Sequence, residues 1–308
     1  MLKFLIMVKI IFSSFLYLTI ILYPASLQVY FTPHGRLDNF ILEKVKEANR
    51  CVYIASYSFG WEKLSKQLVG LEKKNVDVKI FVEKSFCKSS IDIRKDNVKS
   101  CLFHPKFMVI DKEKVFIGSL NFTYENFYLH HNNIIFIENE KLASYFHKVF
   151  LRFWKRKGVK GYYKDGKFEV YFSPWSDCEN ILKKYILSAN SSIYFALFDF
   201  TSEEIARHIV KKRKEGVRVF GIIERTRILP YSVFYLLKDF GCKMKKSNMA
   251  GFLHDKFFII DGKTVITGSY NPTVSARKNI ECLFIVKDIK VAEEFMKEWK
   301  NLWFWYSF

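Results

Sequence analysis

The amino-acid sequence predicts an α/β protein made of two similar lobes that pack against each other as a pseudo-dimer. Strand-like apolar runs alternate with amphipathic helical segments after residue 27, a pattern typical of a mixed sheet flanked by helices on both faces. The chain also repeats itself once. Its 308 residues, half of them apolar, are enough to build two modest cores.

The internal duplication is visible in segments that match at a constant spacing of 141 residues. The run LQVYFTP (Leu27 to Pro33) matches FEVYFSP (Phe168 to Pro174), and Glu83 at the end of a later strand matches Glu224. Each half follows the same order of strand, helix, strand, helix and strand, with the second strand in CVYIAS or SIYFAL and the third in VKIFVE or VFGIIE. Two equivalent lobes are therefore expected.

The boundary between the lobes is predicted in the stretch 155–167, which is rich in Gly and Lys. We assign residues 28–158 to the first lobe and residues 159–308 to the second. Residues 1–27 precede the first repeat and stand apart from both lobes.

The segment 1–27 is predicted to be a signal peptide or a membrane anchor. Lys3 and Lys9 precede an uncharged run over residues 10–23, and small residues follow that run. The match to a cleavage site is poor, so residues 4–23 could also remain as an anchor. Because the lysines come first, we expect the rest of the chain to be exported, to the periplasm or another extracytoplasmic compartment.

The formal charge of +19 favours a polyanionic partner. Residues 1–27 contribute two lysines and no acidic residue, so an excess of +17 remains without them. Such an excess attracts nucleic acid or an anionic lipid surface over a Debye length of about 10 Å. The aromatic content of 18% and the scarcity of Pro and Gly exclude an extensively disordered chain.

Six cysteines permit disulfide bonds without requiring them. Cys51 and Cys282 lie beside apolar runs and are expected to be small buried side chains. Cys87 and Cys101 bracket a polar loop before the motif described next, and in an oxidising compartment they could form a disulfide bond.

The strongest functional signal is a twenty-residue motif that occurs after the third strand of each half. HPKFMVIDKEKVFIGSLNFT starts at His104 and HDKFFIIDGKTVITGSYNPT starts at His254, and the copies are identical at ten of twenty positions. In a strand, residues two apart project from the same face. His104 and Lys106 should therefore point together, as should His254 and Lys256, while Asp255 points away.

Two further features belong to each copy of the motif. Asp111 and Asp261 stand where the chain turns into a returning strand, and each is expected to fix its turn more than to touch a substrate. A Gly-Ser-x-Asn sequence ends each returning strand, where side chains can hydrogen-bond a bound oxyanion. The predicted phosphate-binding residues are Ser119, Asn121, Ser269 and Asn271.

The H-x-K-x4-D pattern followed by G-S-x-N, present twice, resembles the phospholipase D superfamily, and the resemblance covers residues 28–308. It implies two α/β lobes whose motifs meet at the lobe interface, and a phosphodiesterase that needs no metal or other cofactor. Some members are bacterial endonucleases of about one repeat that dimerise to form the site. This chain is similar to such a dimer fused head to tail.

The resemblance also implies the chemistry. One neutral histidine attacks phosphorus and forms a covalent phosphohistidine, while the other, protonated, donates its proton to the leaving oxygen and later activates water. The motif lysines and asparagines would hold the nonbridging oxygens. The residues assigned to catalysis are His104, Lys106, Asp111, His254, Lys256, Asp261 and Glu281. No coherent set of metal ligands is recognisable, and the adjacent His130-His131 pair is expected at the surface.

The two copies differ in one carboxylate. Glu281 precedes the strand CLFIV, and the aligned place in the first half is assigned to Asn133 before IIFI. In the superfamily a glutamate at this place hydrogen-bonds a catalytic histidine, so Glu281 should favour the charged form of one imidazole. The resemblance therefore assigns His104, paired with Glu281, as the nucleophile and His254, near Asn133, as the general acid.

The substrate stays open between nucleic acid and phospholipid. The positive charge, the basic runs at 211–214 and 243–246 and the compact length favour a nuclease acting on DNA or RNA. A phospholipase D acting on phospholipid head groups is the alternative, supported by the apolar N-terminal segment and the aromatic tail over residues 299–306. An inactive nucleic-acid or membrane-binding scaffold is the remote alternative. No partner protein is predicted.

Two local expectations bear on that choice. The second half contains extra residues between Glu224 and His254, and the stretch 229–237 within them is expected to form an additional core helix. An exposed apolar wall beside the site is the alternative there, and it would favour lipid. The aromatic tail is expected to end an amphipathic helix that docks on the sheet.

Overall fold

The computed structural model of the protein describes residues 27–33, 37–87, 90–229 and 232–308. The predicted signal peptide or anchor lies outside the described residues except for Leu27. In the described part of the chain, no helix is long and apolar enough to cross a membrane.

The first half forms a mixed seven-stranded sheet with helices on both faces. Its strands are β1 (Leu27–Thr32), β2 (Cys51–Phe59), β3 (Asp77–Ser85), β4 (Asp92–Lys95), β5 (Phe107–Ile110), β6 (Lys114–Gly118) and β7 (Asn132–Glu138). Its helices are α1 (Leu37–Lys46), α2 (Glu62–Glu72), α3 (Tyr124–Tyr128) and α4 (Glu140–Trp154). The strand order is β1-β7-β6-β5-β2-β3-β4, with β2, β3 and β4 parallel and the other pairs antiparallel.

The second half repeats this arrangement with one more strand. Its strands are β8 (Tyr163–Lys164), β9 (Phe168–Ser173), β10 (Ser192–Leu197), β11 (Arg218–Ile223), β12 (Lys243–Lys246), β13 (Lys256–Ile260), β14 (Thr264–Gly268) and β15 (Glu281–Lys287). Its helices are α5 (Cys178–Leu187), α6 (Glu203–Lys214), α7 (Phe234–Asp239) and α8 (Ile289–Trp305). The order β12-β11-β10-β13-β14-β15-β9-β8 matches that of the first sheet.

Side-chain caps define where the longer helices begin. Asn139 accepts a hydrogen bond from the backbone N–H of the third helical residue of α4, Ser202 does the same for α6, and Asp288 for α8. Each cap replaces an intrahelical partner that the first turn lacks. Helix α6 also carries acidic residues in its first turn and four basic residues in its last, which complements the helix dipole.

The two halves share one hydrophobic core. Helices α4 and α8 bury their apolar faces in a cluster that also contains residues from both sheets. The Phe31 ring of β1 packs edge-on against Phe295 of α8 at 5.1 Å, and Phe107 of β5 packs against Phe172 of β9 at 6.3 Å. The predicted pseudo-dimer is confirmed. The exact lobe boundary stays a prediction, between the end of α4 and the start of β8.

The extra residues of the second half form a core helix, as expected. Phe234 and Leu237 of α7 are 3% and 0% exposed and pack in the outer core of the second half. Pro230 and Tyr231, from the same stretch, lie outside the described residues. The aromatic tail is divided, because Trp299 of α8 is buried whereas Phe304 and Trp305 are 68% and 79% exposed.

Candidate active site

A cavity of about 420 Å³ lies where the two halves meet. His104 and His254 both line it, together with polar and aromatic side chains from each half. A larger cavity of about 870 Å³ lies between β1 and the start of α8, but it contains no motif residue. The smaller cavity is therefore the candidate active site.

Each histidine is held by a backbone hydrogen bond from the opposite half. The His104 N–H donates to the Ile280 carbonyl oxygen at 2.9 Å, and the His254 N–H donates to the His131 carbonyl oxygen at 2.8 Å. These bonds continue isolated β-bridges that join the two halves. The loops that carry the histidines therefore take their position from the lobe interface.

Two glutamates that the sequence analysis left out of the site support the same loops. Glu83 Oε2 accepts the Phe103 N–H at 2.9 Å, and Glu224 Oε2 accepts the Leu253 N–H at 2.8 Å. Both glutamates stand at the end of a third strand and match at the 141-residue spacing. Because both halves contain a glutamate at this position, the sequence offered a signal that the two residues hold the histidine loops in place.

Each imidazole has a side-chain partner from the other half. His104 Nδ1 lies 2.7 Å from Glu281 Oε2, and His254 Nδ1 lies 2.7 Å from Asn132 Oδ1. The Asn132 amide is oriented by its Nδ2, which donates to two backbone carbonyl oxygens. Because Oε2 and Oδ1 accept, each ring carries a proton on Nδ1, and Nε2 is the nitrogen available for chemistry.

The counterpart of Glu281 in the first half is Asn132, so the prediction that placed Asn133 there is wrong. Glu281 pairs with Ser173 in the second sheet, and Asn132 pairs with Thr32 in the first. Thr32 and Ser173 are themselves 141 residues apart. Neighbouring residues of a strand project to opposite faces, so a shift of one residue turns the Asn133 side chain away from the cavity.

Asn133 belongs instead to a buried polar cluster behind the cavity. Its Nδ2 donates to Asp255 Oδ1 at 2.7 Å, and its Oδ1 accepts from Thr267 Oγ1 at 2.7 Å. Asp255 is fully buried, and its Oδ2 has no hydrogen-bond partner among the described residues. Burial raises the pKa of the Asp255 carboxyl to about 7, against the opposing effect of the bond from Asn133.

Lys106 and Lys256 are buried beside the histidines. The Nζ of each donates to the carbonyl oxygen of the histidine two residues earlier, at 2.7 Å for Lys106 and 2.6 Å for Lys256. Burial lowers the pKa of Lys256 to about 7 and that of Lys106 well below its ordinary value, while Glu281 raises both. A bound anion would supply negative charge and favour the protonated lysines.

Burial also lowers the pKa of both imidazoles. The pKa of His104 falls to about 4 because burial and the charge of Lys106 outweigh the opposing effect of Glu281. The pKa of His254 falls well below its ordinary value, since burial and both lysines lower it and its partner is a neutral amide. Both rings are therefore neutral at pH 7 before an anion binds, and Glu281 favours protonation of His104.

The four predicted phosphate-binding residues do not share one environment. Asn121 and Asn271 line the cavity, where an amide N–H can donate to a phosphoryl oxygen. Ser119 and Ser269 are fully buried and do not line it.

Each serine instead holds the partner of an imidazole. Ser119 Oγ donates to Asn132 Oδ1 at 3.2 Å, and Ser269 Oγ donates to Glu281 Oε2 at 2.5 Å. The two hydroxyls are therefore not placed to contact a phosphate in the cavity, contrary to the prediction. They act on the histidines indirectly, by orienting the acceptors of the Nδ1 protons.

Asp111 and Asp261 lie outside the cavity, at the far ends of β5 and β13. Each carboxylate accepts three consecutive backbone N–H groups, those of residues 49–51 for Asp111 and 190–192 for Asp261. They anchor the strand that lies next to the motif, as expected for residues that fix a turn. The structure places neither carboxylate where it can take part in catalysis.

The His130-His131 pair is not at the surface, contrary to the prediction. His131 is 3% exposed, and its carbonyl oxygen holds the His254 backbone. His130 is half-buried and lines the cavity. The described residues contain no group of three or more His, Cys, Asp or Glu side chains that could hold a metal ion.

The cysteines are unpaired. Cys51 and Cys282 are buried, as expected. Cys87 and Cys101 are both free, so the disulfide bond considered for them is absent from the structure.

The sequence pattern of one known family matches both halves of the chain. The family is described as "Cardiolipin synthase, PLD-like domain", and the match covers residues 41–154 and 182–303. The chain belongs to this phospholipase D-like family. The two matched segments correspond to the two repeats, so the resemblance stated from the motifs is confirmed.

Relatives of this phospholipase D-like chain match about one of its halves. The phospholipase D of Rickettsia prowazekii is 31% identical over 130 residues, which are 42% of this chain and 63% of that protein. The mitochondrial cardiolipin hydrolase of Mus musculus is 33% identical over 124 residues, which are 40% of this chain and 56% of that protein. The chain thus spans less than two thirds of the length of either relative.

The arrangement of both halves also occurs in solved structures of other proteins. The phosphatidylserine synthase of Haemophilus influenzae superposes with a TM-score of 0.68 over 91% of this chain and 87% of that protein. The sequence identity is 10%, so the likeness establishes the shared fold alone.

The buried carboxyl of Asp255 predicts a pH-dependent effect of replacing it. Folding raises the pKa of this carboxyl, so the carboxyl contributes to the free energy of unfolding as long as it is neutral. This contribution is complete below about pH 4 and is lost as the pH rises through about 7. Asp255→Asn should therefore stabilise the fold by about 2 to 3 kcal/mol more at pH 8 than at pH 5. Thermal unfolding at both pH values measures this.

The exposed Asp239→Asn variant is the matched control and should show no such difference between the two pH values. An Asp255→Asn effect that is equal at pH 5 and pH 8 would mean that the buried carboxyl is ionised at both.

Proposed function

We propose that the chain is a metal-independent phosphodiesterase that works through a covalent phosphohistidine. The observation that carries the proposal is the pair of imidazoles, one from each half, that line one cavity and have Nδ1 engaged by a partner from the opposite half. Two buried lysines and two asparagines accompany them, and this donor set suits the nonbridging oxygens of a phosphodiester.

In the first step, Nε2 of neutral His104 forms a bond to phosphorus as the bond from phosphorus to the leaving oxygen breaks. Glu281 accepts the Nδ1 proton of His104 in a hydrogen bond and stabilises the positive charge that develops on the ring. The anionic substrate favours protonation of His254, which then gives its Nε2 proton to the leaving oxygen.

In the second step, water attacks phosphorus and gives a proton to the now neutral His254. The bond between phosphorus and His104 breaks, and a phosphate monoester leaves. Lys106, Lys256 and the cavity asparagines stabilise the charge on the nonbridging oxygens in both steps. The neutral partner of His254 suits a ring that must both give and take a proton, because an amide stabilises neither form by charge.

Nucleic acid, DNA or RNA, is the substrate that we favour. The charge of +17 on residues 28–308 attracts a polyanion. Four consecutive basic residues, 211–214, form the last turn of helix α6 and add to this charge. Within the stretch 229–237, Phe234 and Leu237 pack in the core through α7, and none of its described residues lines the cavity. A cavity lined mainly by polar and aromatic side chains is better suited to a nucleotide than to acyl chains.

A phospholipase D acting on phospholipid head groups is the second candidate. Its support is the names of the relatives, which include phospholipase D and cardiolipin hydrolase. Exposed aromatic residues at the C-terminus, Phe304, Trp305 and Phe308, would also suit the interfacial region of a bilayer.

We also propose that the chain is exported, with residues 1–27 as the signal or anchor. Strand β1 runs from Leu27, paired with Ile137, to Thr32, paired with Asn132 beside His254. Leu27 therefore lies about 17 Å from the active-site end of the strand. An anchor joined at that point would attach to the end of β1 opposite the active-site end.

Replacement of the nucleophile tests the mechanism. His104→Ala should lower kcat by at least about 10³-fold without unfolding the protein, because the variant lacks the imidazole that forms the phosphoenzyme in the proposed mechanism. Rapid quenching with ³²P-labelled substrate should place the label on His104 in the wild type. His208→Ala, outside the cavity, is the control and should keep full activity. Label on His254 would reverse the two roles.

The unequal partners of the imidazoles predict opposite shifts in a pH profile. Glu281 raises the pKa of His104, so Glu281→Gln should move the acid limb of kcat/KM to lower pH. Asn132→Asp would add a carboxylate beside His254 and should move the alkaline limb to higher pH by about one unit. Profiles with bis(4-nitrophenyl) phosphate measure both. If neither limb of the pH profile moves in its variant, the pairing of Glu281 with His104 and of Asn132 with His254 is contradicted.

A direct assay separates the substrate candidates. The mature protein, in chelator, should cleave single-stranded DNA, duplex DNA or RNA in preference to phosphatidylcholine or cardiolipin vesicles. Cleavage of nucleic acid should fall steeply with salt, by about tenfold or more between 50 and 200 mM, because phosphate contacts release counterions. Faster release of phospholipid head groups than of nucleotides would instead support the phospholipase.

A further inference from the structure

The cavity has two sides that are equivalent in backbone and different in chemistry. The Leu102 N–H donates to Asn279 Oδ1 at 3.1 Å on the His104 side, and the Phe252 N–H donates to His130 Nδ1 at 3.2 Å on the His254 side. All four of these residues line the cavity. The pseudo-symmetry thus places an aromatic pair, Phe252 with His130, where the other side has a leucine and an asparagine.

The His254 side contains a continuous group of rings. The Phe252 ring packs against His130 at 4.9 Å and edge-on against Phe198 at 6.1 Å, and Phe198 packs edge-on against His254 at 5.1 Å. Phe252 remains 43% exposed although it lines the cavity. An exposed aromatic face beside a phosphodiester site is a surface on which a flat ring can stack.

The position of Phe252 is set by the backbone. Its neighbour Gly251 lies so close to the Leu129 carbonyl oxygen that a Cβ at residue 251 would be 1.9 Å from it. The loop that carries Phe252 therefore packs directly on the first half. A ring that is held in place before the ligand arrives loses little entropy on binding.

His130 adds a hydrogen-bond donor to this surface. Its Nδ1 accepts the Phe252 N–H, so in the neutral ring the proton is on Nε2. Burial lowers the pKa of His130 and favours that neutral form. The equivalent Asn279 uses its amide oxygen in the same backbone bond and offers no flat ring.

We infer that the His254 side of the cavity binds the base of the leaving nucleotide, stacked on Phe252 and accepting a hydrogen bond from His130 Nε2–H at a carbonyl oxygen or a ring nitrogen. This rests on the proposed nuclease function. His254 protonates the leaving oxygen in that function, so the group that leaves must lie on this side. The retained nucleotide lies on the side of Leu102 and Asn279, where Tyr57 lines the cavity beside His104 but no ring stands in the places of Phe252 and His130.

The inference is tested with oligonucleotides in which one phosphodiester is cleavable and the others are methylphosphonates. Three versions carry a base on both sides of that linkage, an abasic residue before it, or an abasic residue after it. The fragment released with a free hydroxyl identifies the leaving side. Wild-type kcat/KM should fall about tenfold when the leaving side is abasic, and less than about threefold when the retained side is abasic.

The variant Phe252→Leu places a leucine where the other side of the cavity has Leu102. In this variant, the tenfold ratio of kcat/KM between the substrate with both bases and the substrate that is abasic on the leaving side should fall to about threefold or less. Phe240→Leu removes a similarly exposed aromatic ring outside the cavity and should keep the wild-type ratio. Unfolding temperatures of both variants check that each is folded.

The outcomes distinguish this inference from the proposed function. Cleavage with equal wild-type losses for the two abasic positions, or with an unchanged ratio in Phe252→Leu, overturns the base-binding side and leaves the nuclease standing. Failure to cleave any of the oligonucleotides, with release of head groups from phospholipid vesicles, overturns both.

Discussion

The active site depends on hydrogen bonds that cross between the two halves of the chain. Glu281 orients His104 and Asn132 orients His254, and the backbone of each histidine donates to a carbonyl oxygen of the opposite half. Neither half alone holds its own imidazole. The shared core around helices α4 and α8 is therefore a functional requirement, because any change in lobe packing would alter both rings together.

Burial of four basic side chains is the second constraint. Lys106 and Lys256 lie in the interior beside Glu281, and the pKa of each lysine and each imidazole is lowered. A phosphodiester that enters the cavity supplies negative charge and favours the protonated forms of these four groups, so the electrostatics favour the bound state. The Glu281 carboxylate also breaks the symmetry of the fused repeat, since the equivalent partner of His254 is the neutral amide of Asn132.

Much of the fold and the motif chemistry could be predicted from the sequence, and the errors were local. The repeat spacing located the strands and helices, and the motif located both histidines and lysines. Ser119 and Ser269 were misassigned because a hydroxyl near a motif can face either the ligand or the residue behind it. Asn133 was misassigned because strand parity decides which neighbour faces the cavity, and sequence alignment was uncertain by one residue there.

By itself, the sequence determined the α/β class, the duplication and the pair of His-Lys motifs, because these follow from periodicity and from residue types at short spacing. Tertiary structure alone decided that Asn132 and Glu281 hold the imidazoles, that Asp111 and Asp261 bind backbone, and that His130 and Phe252 line the cavity. Those relations join residues from about 60 to 180 positions apart, and packing across an interface selects them with no local signal in the chain.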